Sequence, residues 1–111
     1  MNPDLDIIFK ALSDPTRRHI LDYLKGGPRK TGDIVSQFPD LSRFGVMKHL
    51  DVLREATLVT TQSVGRSRVN YLNAIPIRMI YERWVDGFSG YWSSALGDIK
   101  FAAEANEDGG N

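Results

Sequence analysis

Residues Leu41–Leu58 read LSRFGVMKHLDVLREATL, and this stretch decides how the rest of the chain is read. Ser42 suits the N-cap of a helix, because its hydroxyl oxygen can accept from one of the amide groups that a first turn leaves unpaired. Val46, Leu50 and Leu53 follow at i, i+4 and i+7, a stripe that predicts one buried face on a helix from Arg43 to Ala56. At about 100° per residue, Phe44, Met47, Lys48, Asp51 and Glu55 point away from that stripe. A capped start, an Arg in the first turn and an outer face carrying a cation beside apolar side chains are what a helix laid into a DNA major groove needs. Phosphates attract the cations, and base edges are met by residues of the N-terminal half. A solvated amphipathic helix has a similar pattern, so the neighbouring segments decide between the two.

Upstream, Thr31 is the expected cap of a short helix, TGDIVSQF, with Ile34, Val35 and Phe38 apolar, and Pro39-Asp40-Leu41 turns the chain into Ser42. Two helices joined by so short a turn, the second suited to a groove, form a helix-turn-helix. Ahead of them Pro3, Asp4 and Asp6 open a first helix with Leu5, Ile8, Phe9 and Leu12 at helical spacing, the acids favoured by the helix dipole. Ser13 or Asp14 then caps a second helix with Pro15 at its first position and Ile20, Leu21 and Leu24 on its buried face. Gly26-Gly27-Pro28 ends it. Arg17 and Arg18 stand in its first turn against the dipole preference, so something other than helix stability holds them there.

Downstream, Leu58–Val64 and Arg68–Leu72 are rich in β-branched and aromatic residues around Gly65-Arg66-Ser67, which predicts a β-hairpin with a basic tip. From Ile75 the chain reads as one long helix, with Trp84, Phe88, Tyr91, Trp92, Ala95, Leu96 and Ile99 on a continuous apolar stripe. Gly87, Gly90 and Gly97 interrupt its helix propensity and suggest close packing against another backbone or a break. We expect one domain over residues 1–105 and a disordered acidic tail, NEDGGN, at 106–111.

The 111 residues contain no Cys, which excludes disulfides, thiolate metal sites and thiol catalysis. The composition is that of a soluble globular protein, with no run as long as a membrane span and no basic secretory start, so a cytoplasmic location is expected. Net charge is zero, but residues 28–72 hold seven basic against four acidic side chains while residues 73–111 hold three against six. The positive excess thus lies on the helix-turn-helix and hairpin. No nucleophile is paired with a base and no loop is built to cradle a phosphate, so neither an enzyme nor a cofactor is expected.

Three motifs in one register, ALSDPTRRHILDYL (residues 11–24), SRxxVxKHLxxLREA (residues 42–56) and the LV…GRSRVNYLN hairpin (residues 58–73), resemble the ArsR/SmtB family of winged helix-turn-helix regulators. The resemblance implies a mainly α fold with a small β-hairpin, in the order α-α-α-α-β-β-α, and a homodimer on double-stranded DNA that acts as a repressor. Ser42, Arg43, Phe44, Met47 and Lys48 match the family's DNA-facing positions, and Arg66 and Arg68 match the wing. Val46, His49, Leu50 and Leu53 match packing positions. The first and last helices would form the dimer seam, through Leu5, Ile8, Phe9, Trp84, Phe88, Tyr91, Trp92, Leu96 and Ile99.

Two residues depart from the family pattern. Thr57 stands where a Gly commonly ends the reading helix in a left-handed conformation, so a different helix end is expected. Met47 replaces a small polar residue, so the operator cannot be transferred from relatives. The metal sites of relatives need Cys, or His and carboxylates on the last helix; the chain has no Cys and residues 75–111 no His, so no metal is expected. His19 and His49, isolated in separate motifs, read as structural or DNA-proximal residues. Trp84, Phe88, Tyr91 and Trp92 suit either plain interface or a pocket for a small hydrophobic effector. The alternative for the whole chain is a winged-helix module that binds protein rather than DNA.

Overall fold

A computed structural model describes residues 4–85. In chain order it contains α1 (Leu5–Leu12), α2 (Pro15–Lys25), β1 (Arg29–Lys30), α3 (Thr31–Ser36), α4 (Arg43–Glu55), β2 (Val59–Val64), β3 (Ser67–Leu72) and α5 (Ile75–Trp84). The chain divides into two compact units, Met1–Ile77 and Arg78–Asn111, and the winged-helix body is the first. The expected continuation of the last helix, with Gly87, Phe88, Gly90, Tyr91, Trp92, Leu96, Gly97 and Ile99, lies outside the described residues, as does the 106–111 tail. No helix among the described residues is long and apolar enough to cross a membrane.

Asp4 caps α1 by accepting from the Asp6 N–H at 2.9 Å, and Ile8 and Ala11 are buried. Ile8, expected at a dimer seam, is only 1% exposed and belongs to the protomer's own core. Asp14 is the cap of α2, accepting from the amides of Thr16 at 2.8 Å and Arg17 at 3.3 Å, with Pro15 at N1. The misplaced arginines find their reason here. Arg17 donates from Nε to the Ala11 carbonyl and from Nη2 to the Lys10 carbonyl, both at 2.8 Å, and Arg18 Nη1 donates to the Leu12 carbonyl at 2.7 Å. These acceptors are carbonyls of the last turn of α1, that of Lys10 also taking the Ser13 amide and hydroxyl, so the dipole the arginines favour is that of the helix before their own.

In α4 the predicted stripe is fully inward: Val46, Leu50 and Leu53 are each 0% exposed. Full burial of such side chains is worth roughly 1.5–3 kcal/mol apiece. Ser42 caps the helix by accepting from the Gly45 N–H at 3.0 Å. His19 stacks edge-on against Phe38, with ring centroids 4.9 Å apart, in the turn between the two helices of the motif.

The antiparallel sheet runs β1-β3-β2, with Val59 opposite Leu72, Thr61 opposite Asn70 and Val64 opposite Ser67. β1 adds an element to the expected order: Arg29 and Lys30 pair with Asn70 and Val69. The hairpin turn is tighter than expected, only Gly65-Arg66, with Ser67 already in β3. Gly65 takes φ 61° at the first turn position, a conformation glycine adopts without a steric penalty and one that follows the strand twist. Beyond Thr61 both faces of β2 are exposed, so the hairpin tip stands clear of the body as a wing.

The end of α4 differs from expectation. Thr57 does take the left-handed conformation, at φ 59°. The Leu58 N–H bonds the Leu53 carbonyl and the Thr57 N–H the Arg54 carbonyl, both at 2.9 Å, which is the Schellman pattern. Leu53 and Leu58, which the first of these bonds joins, are both fully buried on either side of the strained residue. A non-glycine residue loses about 1–2 kcal/mol in this conformation. Glycine removes that strain and returns part of the gain through a more flexible unfolded chain. Thr57→Gly should therefore raise stability by about 0.5–1 kcal/mol, seen as a higher urea midpoint at unchanged slope. Thr57→Ala keeps a Cβ in the left-handed turn and should gain much less; equal midpoints for the two variants would show that this strain is absent.

Candidate nucleic-acid interface

The start of α3, the N-terminal half of α4 and the wing enclose a groove of about 350 Å³. Its lining includes Arg43 and Met47 from α4, Arg66, Ser67 and Arg68 from the hairpin, and Lys30, Thr31, Gly32 and Asp33 from the β1–α3 junction. Four of the expected interface residues, Arg43, Met47, Arg66 and Arg68, are thus brought together. Lys30 joins them without having been singled out by the sequence. The groove holds four cations and one carboxylate. Like charges gathered this closely repel one another, an arrangement that a phosphate backbone relieves.

The rest of the expected set sits around this groove in different ways. Phe44 follows Arg43 by one residue on α4 and is 68% exposed, with the Lys48 ammonium 4.8 Å from its ring centroid. Ser42 is exposed, and its oxygen is engaged by the helix cap. Arg29, by contrast, turns away from the groove: its guanidinium lies 4.3 Å over the Tyr23 ring and Nε donates to the Tyr23 carbonyl at 3.4 Å. The ion pairs given by the described residues, Arg54–Asp51 and Arg78–Glu82, include none of the groove's cations.

What holds the wing against the helices is a buried amide. Asn70, on β3, is 0% exposed; its Oδ1 accepts from the Thr61 hydroxyl at 2.7 Å. Its Nδ2 donates to the Arg29 carbonyl at 3.2 Å and to the Thr31 hydroxyl at 3.0 Å. The Thr61 oxygen accepts in turn from Arg54 Nη1 at 3.1 Å, and Arg54 pairs with Asp51. One residue of β3 thereby reaches β1, α3, β2 and α4. Thr31, expected to cap α3, does something else: it is the first residue of the helix, and its hydroxyl serves Asn70. Lys30 stands at the N-cap with no side-chain bond.

His49 of α4 is tied in from the other side, its Nδ1 lying 3.1 Å from Arg17 Nη1. Burial opposes the charged form of Asp14. The amide bonds from Arg17 and Thr16, with the charges of Arg17 and His49, outweigh it and hold the carboxyl below its ordinary value. Among the described residues no group of three His, Cys, Asp or Glu is placed to hold a metal.

A helix-turn-helix whose second helix shares a cationic groove with a β-wing defines the winged-helix class of DNA-binding proteins. The family model of the helix-turn-helix domain matches residues 12–62. The transcriptional repressor SdpR of Bacillus subtilis is 44% identical over 59 residues, which are 53% of this chain and 64% of SdpR. The HTH-type transcriptional regulator YuzN of the same organism is 36% identical over 92 residues, covering 78% of this chain and all of YuzN. An ArsR-like transcriptional regulator from Rhodococcus sp. RHA1 superposes with a TM-score of 0.67 at 30% identity over 91% of each chain. The chain belongs to the ArsR-type family of winged helix-turn-helix transcriptional regulators.

Removing the Asn70 amide leaves a buried bond to the Thr31 hydroxyl and part-buried bonds to the Thr61 hydroxyl and the Arg29 carbonyl unmade. Asn70→Ala should lower stability by about 2–4 kcal/mol in urea unfolding. Asn73→Ala, which removes two exposed bonds, one to the Thr57 carbonyl and one from the Ile75 amide, should cost about 1 kcal/mol or less. Similar losses for the two would deny Asn70 its special position.

Proposed function

We propose that the chain is a homodimeric repressor that binds a pseudo-palindromic operator, each protomer laying α4 in a major groove and the β2–β3 wing along the adjacent backbone. The observation that carries this reading is the convergence of Arg43, Arg66, Arg68 and Lys30 on one groove beside the exposed N-terminal half of α4. Repression is supported by the similarity to SdpR, which is named a transcriptional repressor. Homodimerisation is supported by the apolar stripe from Trp84 to Ile99 and by Phe9, 43% exposed on α1. Leu5, Phe9, Trp84, Phe88, Tyr91, Trp92, Leu96 and Ile99 remain the proposed seam. The protein works in the cytoplasm without a metal or cofactor, and its aromatic last segment serves as interface or as the pocket of a small hydrophobic effector.

The two sets of groove cations have separable jobs. Arg66→Ala should weaken binding to specific and random duplexes alike and make the salt dependence shallower by about one unit, because a phosphate contact releases counterions without reading bases. Arg43→Ala should cost about 1–3 kcal/mol on the operator and little on random DNA, through loss of a guanine edge. Anisotropy titrations of both variants at several salt concentrations check this. Equal losses on both duplexes for Arg43→Ala would reassign it to the backbone, and no loss for either variant would leave a protein-binding module as the better reading. Sedimentation should give about twice the 12.5 kDa chain mass, and Trp92→Glu should abolish that dimer.

A further inference from the structure

Phe44 is the most exposed of the large apolar side chains described, at 68%. Nothing in the helix needs it there. Ser42 already caps the first turn, and Val46, Leu50 and Leu53 already fill the core side without residual exposure. Its place is nonetheless specific: it is the helix neighbour of Arg43, which lines the cationic groove, and Lys48, one turn later, holds its ammonium over the ring. Met47, half-buried, brings a second apolar side chain to the groove lining itself.

We propose that Phe44 and Met47 recognise the 5-methyl group of thymine, so that each operator half-site contains thymine read by apolar contact. The inference rests on the operator-binding reading above and names the base class that this part of α4 selects. Among base edges in the major groove, guanine, adenine and cytosine present hydrogen-bond donors and acceptors, and thymine alone adds a methyl group. Neither a phenyl ring nor a thioether can answer the polar edges. Both gain by removing themselves and a methyl from water together. The surrounding charge selects the occupant: Lys30, Arg43, Arg66 and Arg68 line the groove together with Met47, which suits a polyanion and opposes a second copy of the same basic face. Arg43 and Lys48 flank the apolar pair as the candidates for polar edges.

The test begins with genomic fragments selected by the wild-type chain. The operator so defined is resynthesised with each thymine replaced singly by uracil, which deletes the methyl and leaves the pairing edge unchanged. At one or two positions per half-site uracil should weaken binding about fourfold, the worth of one buried carbon. Phe44→Ala, a surface change whose fold is checked by circular dichroism, should bind the ordinary operator more weakly and no longer distinguish thymine from uracil at its position. Met47→Ala should do the same at a neighbouring one. Tight, sequence-specific binding with no uracil effect at any position would overturn the inference while leaving the operator reading intact. So would a Phe44→Ala variant and a Met47→Ala variant that both keep every thymine preference. Failure to select any fragment would instead overturn the operator reading, and this inference with it.

Discussion

The Asn70 side chain is the constraint on which the geometry of the groove depends. A fully buried amide is stable only when its donors and acceptor are satisfied, and the partners it uses, Thr61, Arg29 and Thr31, come from three other elements. In a low-dielectric interior the alternative to this arrangement is an unpaired polar group, so the network favours the placement of the wing that pairs every member. Once Asn70 is seated, Lys30 stands at the start of α3 and Arg66 and Arg68 rise from the same sheet. Arg54 carries the connection on to the helix that bears Arg43. The basic groove is a consequence of that placement.

The arginines divide by what they touch. Arg17 and Arg18 close the end of α1, Arg29 covers the end of α2, and Arg54 steadies the Asn70 network. All four are engaged within the protomer, with backbone carbonyls, the Tyr23 ring, or the Thr61 hydroxyl and the Asp51 carboxylate. Arg43, Arg66 and Arg68 are exposed and share one groove with Lys30. This division explains how a chain of zero net charge presents a face suited to DNA: the balance is struck over the whole molecule, while the field that a phosphate meets is local.

Much of the fold was legible because its signals are short-range. Ser42, Asp14 and Pro15 mark helix starts, the spacing of Val46, Leu50 and Leu53 marks a buried stripe, and Gly65-Arg66 marks a hairpin. What escaped is non-local. The partners of Asn70 on β1 and α3 lie 41 and 39 residues away, and no pattern around Asn70 points to them. β1 is two residues long and exists only because β3 offers it an edge, so its sequence carries no strand period. Thr31 looked like a cap because threonine often is one; the buried amide was the stronger claimant for its hydroxyl. Ile8 shared its helical stripe with Phe9, and sequence alone could not tell which of them faced the protomer's core. At Thr57 the local rule against left-handed β-branched residues was legible, but the paired bonds that close the helix end, with Leu53 and Leu58 buried, override it. Of the groove's lining, Arg43, Met47, Arg66 and Arg68 could be named from the family resemblance together with the helix and hairpin patterns, whereas Lys30 required the sheet.

On the proposed reading, three segments separated in sequence form one DNA-binding surface. Amide resonances of the uniformly ¹⁵N-labelled chain, followed during titration with a duplex, test it most directly. Residues 30–33, 42–48 and 64–68 should shift together with a single saturation curve, while the exposed positions of α2 stay still. Shifts confined to one of those segments, or centred on α2, would contradict it.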